Sequence, residues 1–502
     1  LLPGFLAHTE FGDGLQLPRL KLAPINVRWS SGLTYNQATY VSYLVPVVRP
    51  TDSLLSASQN LANIWRNSAG LTMQPFQALT LNADLASSRD LRQYPDSTPL
   101  GRLVQAQRSE FLGFDAGVER DRALTTSMAF TPAVSRWLRP RILRTSSFVL
   151  NRYLTGRDPV RANEDTTGRF LLPQTLNNTQ AWEVGAGIDL TQSVNAIFGD
   201  SSGMARAFRR VRPFDISRRT VLSSTFDMAA FQPSLGYQFA FGNTSDFLNQ
   251  QGAAALAATD GHTDALTGSA DLPGGFNLTA SYGLTAQSQY ARVLGAYQRT
   301  DIRQTDWPVG TLRWTHSMRS GPLLLLSSGV NVRQTEGTTF TPTLSGTGST
   351  GRTSSSSLSP DASFTFRNGV SVTLNYSKVD QVNAVSGNQT QVAQRTFNAT
   401  LNDVFRLPVS LSRLRRQVRA SFSGLRSIST TCLSQAGGAC TSVSDDRRTE
   451  ISGAFYTDLV ALAEAGLSFG YTVNEAREVN QYTTSLFVSA SMNIQLSSGG
   501  YR

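Results

Sequence analysis

Histidine and cysteine are nearly missing from this 502-residue sequence, and no long hydrophobic run occurs in it. The three histidines, His8, His262 and His316, lie far apart, and none is near Cys432 or Cys440. A zinc site needs several such ligands at close spacing. A nucleophilic centre needs a base and an orienting acid beside the nucleophile. Neither constellation is present, so the expectation is a chain with no metal, no cofactor and no catalytic residues. The densest apolar patches, Leu323 to Leu326 and Ala253 to Ala258, fall far short of the 18 or more residues a membrane-crossing helix needs. A transmembrane β-barrel leaves no such run, so a membrane is not excluded. Charged residues make up only 16% of the chain, against roughly 25% in soluble domains. Much of the surface therefore meets its surroundings through Ser, Thr, Asn, Gln and Gly.

Lysine is confined to Lys21 and Lys378, so the net charge of +10 is carried by arginine. The arginines are scattered rather than gathered on one predicted helix, which argues against a nucleic-acid partner. Such a skew toward one basic residue also follows from genomic base composition. The length exceeds one ordinary domain unless the fold is a large barrel or a repeat.

What the sequence does have is alternation. In Pro24-Ile25-Asn26-Val27-Arg28-Trp29-Ser30, Val27 and Trp29 fall on one face and Arg28 and Ser30 on the other, the period of a β-strand. The pattern returns at Pro308, where Leu312 and Trp314 oppose Arg313 and Thr315. Proline is tolerated where a strand begins. Further strands are predicted at 182–190, 234–241, 276–284, 364–366, 370–376, 392–402, 416–429, 448–458, 463–473 and 482–496. Asn368-Gly369 is a strong hairpin signal between two of them. About twenty strands are expected, many near the ten residues that cross a bilayer at a tilt. Helix is expected only near Ala253–Ala258 or Ser201–Arg210. Residues 44–60 and 89–110 read as loops. In the last third, long loops are predicted at 336–360, 380–391, 430–447 and 474–481, with short links at 318–323, 368–369 and 459–462. This is the asymmetry of outer-membrane barrels, whose long loops are external; upstream of residue 300 it fails, because Pro273-Gly274-Gly275 is tight where a long loop is due.

Three motifs invite other readings. Gly346-Thr347-Gly348-Ser349-Thr350-Gly351 matches GxGxxG, but an arginine and a serine run follow where a dinucleotide site needs a helix, so a flexible external loop is favoured. Gly199-Asp200-Ser201-Ser202-Gly203 resembles a serine-protease loop, and without supporting histidines it reads as a turn. Cys432 and Cys440 close a small Gly-containing loop that suits a disulfide in an oxidising compartment, with two free thiols as the alternative. Arginines cluster at Arg136, Arg139, Arg141 and Arg144, at Arg206, Arg209, Arg210, Arg212, Arg218 and Arg219, and at Arg413, Arg415, Arg416 and Arg419. The plain reading is solvated turns. The sharper reading makes Arg209, Arg210, Arg212, Arg218 and Arg219 a lumen or docking group.

The segment PRLKLAPINVRWSSGLTY at 18–35 resembles the Pro-x-W-x-V-x-W-[ST]-G-L segment of the SprA/Sov family, the outer-membrane translocon of type IX secretion, associated with gliding motility. The matching positions are Pro24, Val27, Arg28, Trp29, Ser30, Gly32 and Leu33. TDWPVGTLRWTHSM at 305–318 resembles a second copy through Pro308, Leu312, Arg313, Trp314 and Thr315. SSFVLNRYL at 146–154 and SLGYQFAF at 234–241 are similar to further family strands. Ile25 or Asn26 replaces the first family Trp. In the second copy the apolar-Arg-Trp unit stands one residue further from its proline, and His316 replaces Gly. The resemblance implies the C-terminal portion of a translocon exporting folded protein across the bacterial outer membrane, with outer-membrane lipid, secreted cargo, a plug and accessory outer-membrane or periplasmic proteins as partners. The chain begins Leu1-Leu2-Pro3 without Met, which suits such a piece or a removed leader.

The expected architecture is therefore all-β: an irregular lead-in at 1–23, then a large antiparallel transmembrane β-barrel portion over 24–502 with long external loops, closed or an incomplete part of a larger barrel. Trp29 and Trp314 are expected against lipid, with Arg28 and Arg313 inward. A porin-like or TonB-dependent-receptor-like channel for small solutes, and a surface β-rich adhesin, are the alternatives.

Overall fold

A computed structural model describes residues 23–40, 58–111, 113–154, 159–161, 170–198, 208–342, 348–406, 417–435, 438–460 and 463–494. The chain is all-β, a large antiparallel sheet carried by eighteen long strands. In chain order these are β1 (Asn26–Tyr40), β2 (Ser58–Phe76), β3 (Leu79–Asp90), β4 (Val118–Phe130), β5 (Leu138–Arg152), β6 (Gln174–Ile188), β7 (Phe214–Ala229), β8 (Ala257–Leu272) and β9 (Phe276–Val293). They continue as β10 (Ala296–Ser317), β11 (Leu323–Pro342), β12 (Gly348–Phe366), β13 (Ser371–Val385), β14 (Asn388–Arg406), β15 (Gln417–Gln435), β16 (Thr441–Val460), β17 (Ala463–Ala476) and β18 (Gln481–Ile494). Contacts divide the chain into two compact units: Leu1–Gly187 with Ile216–Asp264 and Ala286–Asp301, and Ile188–Asp215 with Ala265–Thr285 and Ile302–Arg502.

In the first unit β1 to β5 form an antiparallel meander. The connections differ sharply between the two strand ends. At one end β2 turns into β3 through Gln77-Ala78, and β4 into β5 through 131–137. At the other end run 91–117, 153–173 and 230–256, and among the described residues the first and last of these fold. In the first, Pro99–Ala106 forms a helix because Thr98 caps it, accepting from the Gly101 amide, and Pro99 supplies a pre-set φ at its start. Val104 of this helix packs with Val118, Leu154 and Leu172. In 230–256, Ser234 accepts from the Tyr237 amide to start one helical turn, Leu235–Gln238, and Asn243 and Asp246 make a capping box for a second, Thr244–Leu248. This segment lays Tyr237, Phe231 and Ala255 over Leu124, Phe148, Leu150, Leu176 and Phe226 of β4 to β7. The apolar stretch read as strand 234–241 is thus a packed helical turn, with Ala240 at φ 53° where a strand cannot continue.

The helix expected at Ala253–Ala258 is also absent: Ala253–Ala254 pairs with Asn249–Gln250, and Ala257 opens β8. Its alternative, 201–210, lies mostly outside the described residues. The loop read at 89–110 contains the Pro99–Ala106 helix. A helix also forms at Leu190–Phe198, where Asp189 accepts from the Gln192 amide.

In the second unit β11 to β18 form an eight-stranded meander. The long loops predicted there are mostly strand. Residues 380–391 close through Ser386-Gly387 alone, at φ 50° and 84°, the left-handed pair that a tight two-residue hairpin requires. Most of 336–360 belongs to β11 and β12, and Gly348 to Gly351 of the GxGxxG match sit in β12. The connection at 474–481 is a single turn through Arg477–Val479. The strands simply continue past their apolar stretch with polar residues on both faces, a pattern that resembles loop in sequence. The Asn368-Gly369 hairpin forms, Gly369 taking φ 98°. Arg367 beside it donates to the carbonyls of Met318, Arg319 and Gly321 and so clamps the neighbouring turn. Cys432 and Cys440 are joined in a disulfide, Cα to Cα 5.6 Å, at the β15–β16 hairpin.

Candidate functional site

Register assigns the faces. Trp29 stands opposite Ala69, Ala69 opposite Leu85, Leu85 opposite Leu124, and Leu124 opposite Phe148. Directly opposed residues point to the same side of a sheet, so Trp29 and Phe148 share a face. On β4 to β7 the 230–256 segment covers that face, and Phe148 is 0% exposed. On β1 it is bare: Trp29 is 78% exposed, with Val27, Leu33 and Tyr35 beside it.

The opposite face is polar. Arg28 Nη2 donates to Asp84 Oδ1 at 2.8 Å, Arg66 to Thr34 at 2.9 Å, Ser88 to Asp121 at 2.6 Å and Asn82 to Ser127 at 3.1 Å. Arg141 and Glu183 pair at 3.1 Å. Ser30, Gly32, Arg66, Ser88, Asp121 and Asn151 help line a cleft of about 610 Å³ there. Of the first motif copy, then, Arg28, Ser30 and Gly32 lie on the polar side and Val27, Trp29 and Leu33 on the apolar side; exposed Pro24 precedes β1.

The folded connections bring together charges that sequence reading left apart. Glu119 is buried and accepts from Arg122 Nε at 2.8 Å and Nη2 at 2.7 Å, while Arg122 Nη1 donates to Gln238 at 2.9 Å. Arg144, read as part of a solvated turn, is instead buried. Its Nη2 donates to the carbonyls of Phe239 and Ala240 at 2.8 and 3.0 Å, and its guanidinium lies 4.1 Å from the Phe241 ring centre. Asn178 donates to the Tyr237 carbonyl, and Tyr237 OH meets Ser224 Oγ at 2.8 Å. The Pro233-Ser234 pair was the available sign of a helical turn here. Asp90, Arg92 and Tyr94 form a closed set, with Tyr94 OH donating to Asp90 Oδ2 at 3.0 Å. Burial, then the Asp90 carboxylate, push the Tyr94 phenol up to about 12. The Arg108 guanidinium beside Asp115 holds that carboxyl below its usual range.

In the second unit the same two-sided character recurs. Phe422 and Ile451, Leu467 and Phe469, and Leu486 and Val488 share one face across β15 to β18, and Leu486 is 71% exposed. On β17 this apolar stretch runs from Ala465 to Val473, about 27 Å along the strand and roughly 21 Å in height at the usual tilt. The other face is hydroxyl and charge: Ser423 meets Ser452 at 2.6 Å, Ser359 meets Ser377 at 3.3 Å, and Arg448 donates to Glu450 at 2.6 Å. In the second motif copy, Trp314 stacks on Phe276 at 5.7 Å and on His316 at 5.8 Å, and its indole donates to the Gly274 carbonyl at 2.9 Å. Leu312 is exposed, as is Arg313 on the alternate side; Thr315 pairs its amide with the Gly275 carbonyl, and Pro308, expected to open a strand, lies instead inside β10 after a cis peptide. The five candidate arginines divide between the units. Arg212 is held bidentately by Asp271 at 2.9 and 3.0 Å, Arg209 and Arg210 lie nearby in sequence, and all three are exposed. Arg218 faces Asp264 at 3.6 Å, and Arg219, exposed, alternates with it.

No family model matches the chain, and no curated protein does. Among solved structures it is similar to the β domain of the Bordetella autotransporter BrkA, at 10% identity and TM-score 0.17, over 48% of this chain and 93% of that one. It is also similar to OmpT, an outer membrane protein of Vibrio cholerae in trimer form, at 9% identity and TM-score 0.19, over 93% and 96%. A third is an anion-selective porin from Comamonas acidovorans, at 11% identity and TM-score 0.18, over 93% and 98%.

Proposed function

We propose that the chain is a transmembrane β-barrel portion of the bacterial outer membrane, forming the wall of a passage for exported protein as in SprA/Sov-like type IX translocons. The observation that carries the membrane reading is the pairing, on the same strands, of a bare apolar face about 21 Å high with a polar face of hydroxyls and ion pairs. Bare apolar surface of that extent faces lipid or a partner, and a polar face suits a water-filled interior. The export reading rests on the Pro-led strand from Pro24 to Leu33 and its second copy at Pro308 to Thr315. On this reading Trp29 meets lipid and Arg28 faces the interior, and Leu235 and Phe241 of the 230–256 segment, both exposed, extend the apolar side. The interior offers binding and steering to a passing chain, and no bond is made or broken.

The test places a photo-crosslinking amino acid at Ser423 or at Leu467 in secreting cells. Ser423 is expected to trap exported protein, and Leu467 lipid. Extraction of the chain without detergent would eliminate the membrane reading. Lipid at Leu467 with only small solutes passing, and no protein trapped at Ser423, would leave a porin-like channel and remove the export reading.

A further inference from the structure

A row of cations crosses the apolar face of the second unit just beyond its greasy stretch. Lys378 of β13 stands directly opposite Arg395 of β14. Arg395 stands opposite Ile428 of β15, and Ile428 opposite Arg447 of β16. Arg426 stands opposite Phe397, on the diagonal from Arg395. Like charges directly opposed in a sheet repel, and diagonal neighbours are about 7–8 Å apart. Lys378 is neutralised by Asp380 at 2.8 Å and Arg447 by Asp445 at 3.2 Å. Arg395 and Arg426 are exposed and have no ion-pair or hydrogen-bond partner among the described residues. They flank Phe397, which is itself exposed and belongs to the apolar stretch with Leu401 and Phe422.

We infer that Arg395 and Arg426 bind the phosphate of an anionic membrane lipid, in the leaflet on the side of the Cys432–Cys440 hairpin. Three features select this occupant. Two unpaired guanidinium groups at diagonal spacing suit one phosphate gripped from both sides, since each presents a planar fork of donors. The Phe397 ring, directly opposite Arg426 and next to Arg395 on the same face, gives the first methylenes of an acyl chain an apolar surface. The row lies at the border where lipid head groups sit if the apolar face meets lipid, so the inference rests on the membrane reading above. Lys378 and Arg447 add a weaker surrounding field that Asp380 and Asp445 limit.

The test embeds the chain in vesicles of mixed phosphatidylglycerol and phosphatidylcholine, releases it in mild detergent, and counts retained lipids by native mass spectrometry. The wild-type chain is expected to prefer phosphatidylglycerol on the order of 10-fold. The double variant Arg395→Gln with Arg426→Gln is expected to lose most of that preference while still entering vesicles. The double Arg→Lys variant is expected to keep part of it. Equal retention of both lipids by the wild-type chain, or an unchanged preference in the Gln variant, would overturn the assignment. Abolition of the preference by millimolar inorganic phosphate would reassign the pair to free anions and overturn the lipid identity. A chain that enters no vesicle would sink the membrane reading, and this inference with it.

Discussion

The strongest test of the folded connections is Tyr237→Ala. Tyr237 is 3% exposed and meets three rings, Phe148 at 6.1 Å, Phe226 at 5.9 Å and Phe247 at 5.7 Å, while its hydroxyl reaches Ser224 at 2.8 Å. Truncating a buried aromatic costs about 3–5 kcal/mol. Edge-to-face pairs add about 0.5–1.5 kcal/mol each beyond area, though not additively. Taking about 4 kcal/mol, docking of 230–256 weakens by roughly a thousandfold at about 1.4 kcal/mol per decade. The strands keep their hydrogen bonds, so the loss falls on the segment and not on the sheet. Limited proteolysis and amide exchange of the folded chain should show 230–256 opening while β5 and β6 stay protected. Tyr237→Phe removes only one hydrogen bond and should cost about 1 kcal/mol. Unchanged protection of 230–256 in Tyr237→Ala would refute the claim that this residue holds the segment down.

Leu467→Arg on the apolar face should destabilise folding into bilayers by about 2–4 kcal/mol, whereas Ser468→Arg on the polar face should be nearly neutral, both read by unfolding from vesicles. The raised Tyr94 phenol favours the neutral form in the folded state. Its contribution is therefore complete below the ordinary tyrosine value of about 10 and is lost as pH rises from there through about 12; absorbance titration of wild type against Tyr94→Phe checks this. Reducing Cys432–Cys440, which closes a loop at a sequence separation of 8, should loosen the β15–β16 hairpin by roughly 2–3 kcal/mol, seen as faster local amide exchange without loss of membrane insertion. Arg28→Ala breaks an exposed pair with Asp84 and should change stability by less than about 1 kcal/mol.

Alternation made the strands that carry apolar residues legible, from Trp182 to the last strand at Leu486, because a half-greasy strand has a period of two. It failed where both faces are polar. Residues 348–358 carry Ser and Thr on each side and Arg352 on one, so nothing but the hydrogen bonds to β11 and β13 marks them as strand. The length asymmetry expected of the last third vanishes for that reason, and it is instead the first unit that has elaborated connections at one strand end. Segment 234–241 failed in the opposite sense: Leu235, Tyr237, Phe239 and Phe241 alternate by accident within a helical turn held by Ser234. The two faces around Arg28 and Trp29 were readable from period alone. The set of buried Glu119, Arg144 and Tyr237 with half-buried Arg122 was not, since the contacts of Arg122 and Arg144 with 230–256 join residues 95 to 116 positions apart in the chain.

The tight β13–β14 hairpin makes the molecule a display post. A side chain built at Gly387 would meet nothing within 4 Å, and Asn388 lies about 25 Å along the strand from Arg395. On the membrane reading, a foreign peptide spliced between Ser386 and Gly387 would hang clear of the lipid head groups on a stiff two-stranded arm, and antibody binding to intact cells would report which side of the bilayer that hairpin faces.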